Sequence, residues 1–389
     1  MKWFLSQLGR REHYSLAVAL HRSRQLGALC TDLWAPWAAR CPALLRPAAL
    51  AQRYHPELAD APVLAEPWRN VGRTRFDRRG VFDRWVAQGE RFGVFAAEAF
   101  RRRGCAAKDA ILGYTCGNLE QLRLARSIGA RALHVQVDPG PAWYDTHAAA
   151  HAANPRSGPP PSRPSARFLE RILEEMALAD RLIVHSSHTL RSLASAGVDV
   201  SRGVVVPPAF VPASAGVART RLPGRPLRII YVGYVNLAKG FPVLAEAVRQ
   251  LGSDVTLTAV GGLQLDHGYL RSIAPDVEFT GHVPQAEVRR RLAEADVLVF
   301  PTLSDGFGLV QLEAMAEGLP VIATSACGEV VREGVDGFVV PPGDADALVE
   351  RLRRLRREPD LYAAMSQAAL VRATEFGPGR HLDGLRSNV

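Results

Sequence analysis

Short apolar runs alternate with amphipathic stretches through the first half of the chain. The apolar runs predict strands at 3–8, 28–33, 110–114, 132–137, 182–185 and 203–206. The stretches between them repeat apolar residues at three- and four-residue spacing, which predicts helices at 15–24, 81–103, 119–128, 167–178 and 187–194. Residues 34–80 contain several prolines and scattered Trp and Arg, and predict no element. Such alternation is typical of a doubly wound parallel sheet.

A second alternation begins at Leu227. Its apolar runs predict strands at 228–232, 255–260, 277–280, 297–300 and 321–323, and its amphipathic stretches predict helices at 241–251, 287–293, 345–355 and 361–374. Between the two halves, Pro207 to Pro226 has the composition of a linker. We therefore predict an α/β chain with domains at 1–212 and 227–374, a linker at 213–226, and a tail at 375–389 that packs back on the first domain. The Pro- and Ser-rich segment 154–165 predicts a mobile loop, since the sheet pattern resumes after it.

The stretch 296–344 carries the most informative chemistry. The apolar run Val297–Phe300 is followed by the loop Ser304-Asp305-Gly306-Phe307-Gly308, by a predicted helix with Leu309, Leu312 and Met315, and by a second apolar run. A glycine loop at a helix start suits a phosphate, because the free amides point outward and glycine lets a ligand approach the backbone. Asp305 and Glu313 bracket this turn. They are either a solvated pair or, for Glu313 among apolar positions, a carboxylate that accepts ribose hydroxyls.

A second candidate phosphate loop, Gly233 to Gly240, follows the strand that ends at Val232. It lacks the spacing of a P-loop. A strand end with glycine and a lone lysine can still hold a diphosphate through charge and backbone N–H groups. The alternative is a tight turn with a surface lysine. Lys239 is one of only three lysines in the chain, which favours the functional interpretation.

Composition bounds the class of protein. With 389 residues, 47% of them hydrophobic and 22% charged, the chain is long enough for two globular domains. The net charge of +9 is carried almost entirely by arginine. A positive charge of this size suits a protein that binds nucleic acid, an anionic membrane surface or phosphate-bearing substrates. A preference for arginine that reflects the base composition of the genome also produces it. No basic run with interleaved aromatics indicates a nucleic-acid face.

The cysteines and the hydropathy of the chain indicate in which cellular compartment the protein is found. Five widely spaced cysteines, Cys30, Cys41, Cys105, Cys116 and Cys327, argue against a disulfide framework and a zinc site. The apolar start of the chain is too short for a signal peptide, and no uncharged run reaches the length of a membrane span. We expect a cytoplasmic protein, and peripheral association with the inner face of a membrane stays open.

Together these segments carry a family resemblance. Residues 304–322 resemble the E-x7-E signature of retaining glycosyltransferases of family 4. Residues 232–240 resemble that family's phosphate-binding loop, and 279–284 resemble its base-binding loop. The segments 334–344 and 179–187 are also similar to it. The resemblance covers the C-terminal half densely and the N-terminal half loosely.

The resemblance implies a GT-B fold, in which two Rossmann-like domains face a central cleft. It implies retaining transfer of a sugar from a nucleotide-diphosphate sugar to an unidentified glycan, lipid or small-molecule acceptor, without a required metal or other cofactor. Lys239 and Asp305 would be the catalytic residues, acting on the leaving diphosphate and the donor sugar hydroxyls respectively. Glu313 would bind ribose. The other donor-binding candidates are Gly9, Gly233, His282, Val283, Gly306, Phe307, Gly308 and Leu309.

This sequence departs from the family pattern in three places. Asp305 is one methylene shorter than the usual Glu, and Tyr234 stands where many relatives carry a phosphate-binding Arg, so the second cation is unidentified. The strand that ends Gly113-Tyr114-Thr115-Cys116 lacks the His that relatives often place near the acceptor. The acceptor-side candidates are His13, Tyr114, Gln136 and Asp138. For Gln136 and Asp138, an ordinary strand-end role is the alternative.

Two further features favour structural interpretations, and other functional classes stay open. Asp344-Ala345-Asp346 fits a helix cap better than a metal site, and His147 with His151 lacks a third ligand. An epimerase or phosphorylase uses a similar cleft. A non-catalytic partner subunit and a basic membrane-surface module are the remaining alternatives.

Overall fold

The computed structural model describes residues 1–40, 50, 52–66, 80–213, 216–221 and 224–388. Two parallel sheets organise these residues, which confirms the predicted α/β class. The first sheet has seven strands in the order β3-β2-β1-β4-β5-β6-β7. Its strands are β1 Trp3–Gln7, β2 Leu26–Thr31, β3 Val63–Ala65, β4 Ala110–Tyr114, β5 Arg131–Gln136, β6 Arg181–Val184 and β7 Gly203–Val205.

Helices cover both faces of this first sheet. They are α1 Ser15–Arg22, α2 Pro36–Arg40, α3 Val81–Arg102, α4 Leu119–Ile128, α5 Pro141–Ala153, α6 Ala166–Leu178 and α7 Ser187–Ser195. Every residue of β1 is buried, because one face packs against a cluster with Leu16 and Leu20 and the other against a cluster with Phe92 and Phe100. Burial on both faces explains why the strands appear as continuous apolar runs.

The second sheet has six strands in the order β10-β9-β8-β11-β12-β13. Its strands are β8 Leu227–Val232, β9 Val255–Val260, β10 Glu278–Gly281, β11 Val297–Phe300, β12 Val321–Thr324 and β13 Gly337–Val340. Its helices are α8 Phe241–Leu251, α9 His267–Ile273, α10 Gln285–Glu294, α11 Val310–Ala316, α12 Ala345–Arg357 and α13 Pro359–Thr374. Two clusters of buried apolar side chains cover its two faces.

The last helix, α14 Pro378–Arg386, packs on the first domain. Leu382 and Leu385 join the cluster around α1, and His381 Nδ1 lies 2.6 Å from the Pro207 carbonyl. The chain thus crosses between the sheets twice, side by side, and the Phe210 amide donates to the Phe376 carbonyl at 2.7 Å. Two adjacent crossings form the kind of connection about which domains close.

Several elements differ from the predictions. Helices α2, α5, α9 and α14 and strands β3 and β13 had no predicted counterpart, and α11 extends over only seven residues. Strand β3 has three half-buried residues at a sheet edge, which are too few to show a period. In the predicted loop 154–165, Ser157 accepts from the Asp266 amide at 2.9 Å. Parts of 34–80 and of the linker, and Cys41, lie outside the described residues, whereas the other four cysteines are free thiols.

Candidate active site

The candidate site is a cleft between the C-terminal ends of the two sheets. A cavity of about 490 Å³ is lined from both domains by Leu8, Gly9, Arg10, Arg11, Glu12, Tyr114, Val137, His185, Pro208, Asp305, Phe307, Gly308 and Leu309. The C-terminal ends of parallel strands are where α/β folds bind ligands. The structure therefore brings the glycine loop and the first strand turn of the N-terminal domain to one place.

The glycine loop is held tightly on its own side of the cleft. The Asp305 amide donates to the Ala326 carbonyl at 2.9 Å. A Cβ at Gly308, where φ is +82°, would lie 2.5 Å from the Phe300 ring. Within the part of the chain that the structure describes, the amides of Gly308 and Leu309 have no backbone or side-chain acceptor. These amides are available to an anion in the cleft.

The same loop touches the N-terminal domain through Gly306. A Cβ at Gly306 would lie 1.9 Å from the Val137 carbonyl. Helices α5 and α7 complete the contact. Trp143 Nε1 donates to the Ser304 carbonyl at 3.2 Å, His188 Nε2 lies 2.9 Å from Ser304 Oγ, and Thr189 donates to the Gly306 carbonyl at 3.3 Å. The domains are thus in contact around the loop.

Lys239 and Asp305 form an ion pair at the floor of the cleft. The Lys239 amide donates to Asn236 Oδ1 at 2.8 Å, which fixes the turn before α8. Gly240 adopts a φ of +70° there, and a Cβ would lie 1.8 Å from the Pro301 carbonyl. The other carboxylate oxygen of Asp305 accepts from the Phe307 amide at 3.2 Å. The two predicted phosphate turns therefore meet through their charged side chains.

Glu313 lies on α11, where Gln285 donates to its carboxylate at 3.2 Å. Burial raises the pKa of Glu313, while Gln285, Arg10 and Arg289 act in the opposite direction. Arg10 belongs to the N-terminal domain, so this carboxylate is influenced electrostatically from both domains. A half-buried carboxylate with spare lone pairs suits a pair of hydroxyl groups.

The residues predicted beside the base, His282 and Val283, directly follow strand β10. The rings of Tyr234 and His282 are 6.3 Å apart, and Tyr234 is 50% exposed. Gly233 has a φ of +147°. Val283 packs partly against an apolar cluster of the domain. Tyr234 therefore presents a ring beside His282, where relatives place a cation.

The N-terminal wall is built on the turn after β1. The Gly9 amide donates to Asp32 Oδ1 at 2.9 Å, and Arg53 pairs with the same oxygen at 2.8 Å. Three consecutive residues, Glu12, His13 and Tyr14, have positive φ values of 47°, 50° and 64°. Residues other than glycine rarely adopt positive φ values. Strained backbone of this kind clusters at functional sites, where the surrounding structure holds it in place.

The acceptor-side candidates fall into two groups. Tyr114 lines the cleft. Asp138 lines a second cavity of about 290 Å³ that shares Leu8, Arg11, Tyr114 and Val137 with the first. Burial raises the pKa of Asp138, whereas the hydrogen bonds from the Gly140 amide and from Gln136 act to lower it. Gln136 is fully buried and donates to Asp138 Oδ1 at 2.8 Å, so it positions that carboxylate.

His13 is exposed and contacts Arg10 at 3.4 Å, and it is not among the lining residues of either cavity.

Sequence reasoning missed several residues of the site. Arg10 and Arg11 line the cleft, and Trp85, Phe92, Tyr144 and Phe168 line the second cavity. The side chain of Glu12 is only 6% exposed, with Oε1 3.7 Å from His185 Nε2 and Oε2 3.9 Å from His381 Nε2. The two arginines directly follow Gly9, which was a usable signal. The aromatic side chains come from three helices and gave none.

The described residues include neither a candidate metal site nor a candidate membrane span. No cluster of three or more His, Cys, Asp or Glu side chains there could hold a metal ion. Asp344 caps α12 by accepting from the Ala347 amide at 2.8 Å, which confirms its predicted role. In the described segments, no helix combines the length and apolarity that a bilayer crossing requires.

Comparisons with known proteins extend these observations. Residues 226–358 match the family model of the Glycosyl transferases group 1. Residues 226–358 form a group 1 glycosyl transferase domain. The chain is 34% identical over 169 residues to the amylovoran biosynthesis glycosyltransferase of Erwinia amylovora, covering 39% of this chain and 42% of that protein. It is also 34% identical over 227 residues to the D-inositol 3-phosphate glycosyltransferase of Streptomyces scabiei, with 51% of each covered.

The chain spans about half the length of these curated relatives. Solved structures extend the similarity to both domains. The sucrose-phosphate synthase of Thermosynechococcus elongatus covers all of this chain with a TM-score of 0.68 at 20% identity, and 98% of that structure is covered. A complex of Anabaena HepE with UDP covers all of it with a TM-score of 0.62 at 15% identity, and 99% of that structure is covered. These similarities confirm the GT-B fold, with the group 1 domain as its C-terminal half.

Proposed function

We propose that the protein is a retaining glycosyltransferase that transfers a sugar from a nucleotide-diphosphate sugar. The observation that carries the proposal is the ion pair of Lys239 with Asp305, which lines the cleft together with Gly308, while Glu313 lies on the helix that follows. Glu313 accepts the ribose hydroxyls, the free amides of Gly308 and Leu309 hold phosphate oxygens, and Tyr234 with His282 borders the base. The UDP bound in the HepE structure and the glycosyltransferase names of the relatives support this assignment.

The acceptor occupies the second cavity, which opens onto the cleft at Tyr114 and Val137. Its wall combines aromatic rings with Arg11, Asp138 and Gln88. Rings and hydrogen-bonding groups together suit a sugar or another hydroxylated molecule that has an apolar face. Asp138 lies near the reacting atoms, because Gly306 of the donor loop packs directly on the backbone of Val137 and Asp138.

In the reaction, the bond between the anomeric carbon and the diphosphate oxygen breaks, and its electron pair stays with the diphosphate. The acceptor oxygen forms the new bond from the same face, and its proton passes to a phosphate oxygen of the leaving group. Lys239 stabilises the charge that develops on that group, and Asp305 orients both Lys239 and the sugar hydroxyls. The contact between the domains excludes water and aligns acceptor with donor.

Calorimetry with UDP, GDP and ADP tests the donor site. We expect one diphosphate to bind the wild type, and Glu313→Ala to weaken that binding by about tenfold or more, because several ribose hydrogen bonds are lost. A non-catalytic subunit would bind none of the three. Retention is tested separately by proton NMR of the sugar released during slow donor hydrolysis, where the anomer of the donor should appear first.

A further inference from the structure

The charges on the C-terminal wall of the cleft do not suffice for a diphosphate. Lys239 contributes one positive charge, while Asp305 and Glu313 each carry a negative one when ionised. Lys239 is already paired with Asp305. A departing nucleoside diphosphate carries between two and three negative charges near neutral pH. The wall that carries the glycine loop therefore needs a further cation from elsewhere.

Tyr234 does not supply that cation. Among the described residues, Arg289 of α10 acts on Glu313 but, unlike Lys239, forms no ion pair with the glycine loop. The facing wall offers Arg10, Arg11 and, behind Gly9, Arg53. Arg53 is neutralised by Asp32 at 2.8 Å. Arg11 lies over the Tyr114 ring at 5.9 Å and lines both cavities, which places it on the acceptor side.

Arg10 is the remaining candidate, and its surroundings favour the nucleotide side. It lines the same cavity as Gly308 and Leu309, and it interacts electrostatically with Glu313 across the cleft. Its guanidinium contacts His13 at 3.4 Å, and no carboxylate lies within ion-pair distance of it among the described residues. A half-buried guanidinium without a carboxylate partner is a favourable site for an anion.

We propose that Arg10 of the N-terminal domain is the second cation for the donor diphosphate, acting opposite Lys239 of the group 1 domain. The inference rests on the proposed function and assigns a residue to it. Because the two cations lie on different domains, the diphosphate is neutralised fully only when the cleft is closed. Leaving-group departure is thereby coupled to closure, which limits hydrolysis of the donor in the open state.

The test is the preference for a diphosphate over a monophosphate, measured by calorimetry with UDP and UMP and, alongside, with the guanosine and adenosine pairs. Wild type should bind the diphosphate more tightly. Arg10→Gln should reduce that preference by about tenfold or more while leaving monophosphate affinity within about twofold, because the base and ribose contacts persist. Arg10→Lys should restore part of the preference. Arg101→Gln, on the exposed end of α3, makes the same change of charge and should alter nothing.

The outcomes separate the two proposals. If wild type prefers a diphosphate and Arg10→Gln keeps that preference unchanged, Arg10 is not the second cation, while the proposed function stands. If the folded wild-type protein binds no diphosphate at all, the proposed function fails and this inference fails with it. Thermal unfolding of each variant checks that the loss is local, since Arg10 lies outside any helix or strand.

Discussion

The ammonium of Lys239 and the carboxylate of Asp305 join the two phosphate turns of the group 1 domain. The pair connects the turn after β8 with the loop after β11, two neighbouring strands of one sheet. In the proposed reaction, Lys239 acts on the leaving diphosphate together with the amides of Gly308 and Leu309. Asp305, one methylene shorter than the usual acid of the family, reaches Lys239 directly.

Removing the ammonium should affect the transition state more than the ground state. We expect Lys239→Met to lower kcat by roughly 10²–10³-fold, because charge on the leaving diphosphate grows as the glycosidic bond breaks. KM for the donor should change less. Steady-state kinetics of donor hydrolysis measure both constants. Lys108→Met is the matched control on the surface of the first domain, and equal rates for the two variants would contradict the role of Lys239.

Gly306 is predicted to be essential for domain contact. In Gly306→Ala the new Cβ would need the space of the Val137 carbonyl, 1.9 Å away. Nucleotide binding to the group 1 domain should persist, while turnover falls by at least about tenfold because the domains cannot approach. Small-angle scattering should show a larger radius of gyration than in wild type. Gly379→Ala, with open space around it, is the control, and unchanged turnover in Gly306→Ala would refute the steric argument.

Donor binding should weaken on acidification through Glu313. Burial raises its pKa, so the carboxylate takes up a proton at a higher pH than an ordinary Glu. A protonated carboxyl accepts fewer hydroxyl hydrogen bonds, and affinity should fall as the pH drops through this raised pKa. Calorimetry with an intact nucleotide sugar avoids the phosphate ionisation of a free diphosphate. Glu313→Gln should bind more weakly at neutral pH and show a flatter profile. A wild-type profile that is flat down to pH 4 would count against this role.

The stability of the N-terminal domain should decrease in mild acid because of His134. Burial lowers the pKa of His134 to about 4, so the unfolded chain takes up a proton at a higher pH than the folded one. The free energy of unfolding is then constant above the ordinary histidine pKa of about 6.5 and falls below it, by up to about 3 kcal/mol near pH 4.

Denaturant unfolding at pH 7.5, 5.5 and 4.5 measures this dependence. His134→Gln should show a smaller loss between the first and last pH, whatever its absolute stability. His267→Gln, at an exposed position, should keep the wild-type slope. The same slope in all three proteins would mean that His134 does not contribute.

The sequence was sufficient for the class of fold and for the two turns that meet through Lys239 and Asp305. Continuous apolar runs such as Val297–Phe300 identify strands buried on both faces, and glycines such as Gly308 show where only glycine fits. The residues on the N-terminal side of the cleft were harder to predict from the sequence. Gln136 and Asp138 were recognised as strand-end residues, but no spacing in the sequence shows that the first positions the second. Helix α5 was missed because its apolar and polar residues show no clear helical period.

The residues that face the glycine loop from the N-terminal domain could not be predicted, because they come from distant parts of the chain. Arg10 and Glu12 follow β1, His185 follows β6, and His381 returns to them from the end of the chain. Only the fold brings them together. Helix α11 has only seven residues, so its dipole is small and the free amides of the loop itself are the main groups that it offers to an anion.

Release of nucleoside diphosphate from UDP-, GDP- and ADP-sugars tests the central claim most directly. The account predicts slow release from one class of donor by the wild type, faster release when a suitable acceptor is added, and release at least about 10²-fold slower in Lys239→Ala. Folded wild-type protein that releases diphosphate from none of these donors, or Lys239→Ala that releases it at the wild-type rate, would contradict it.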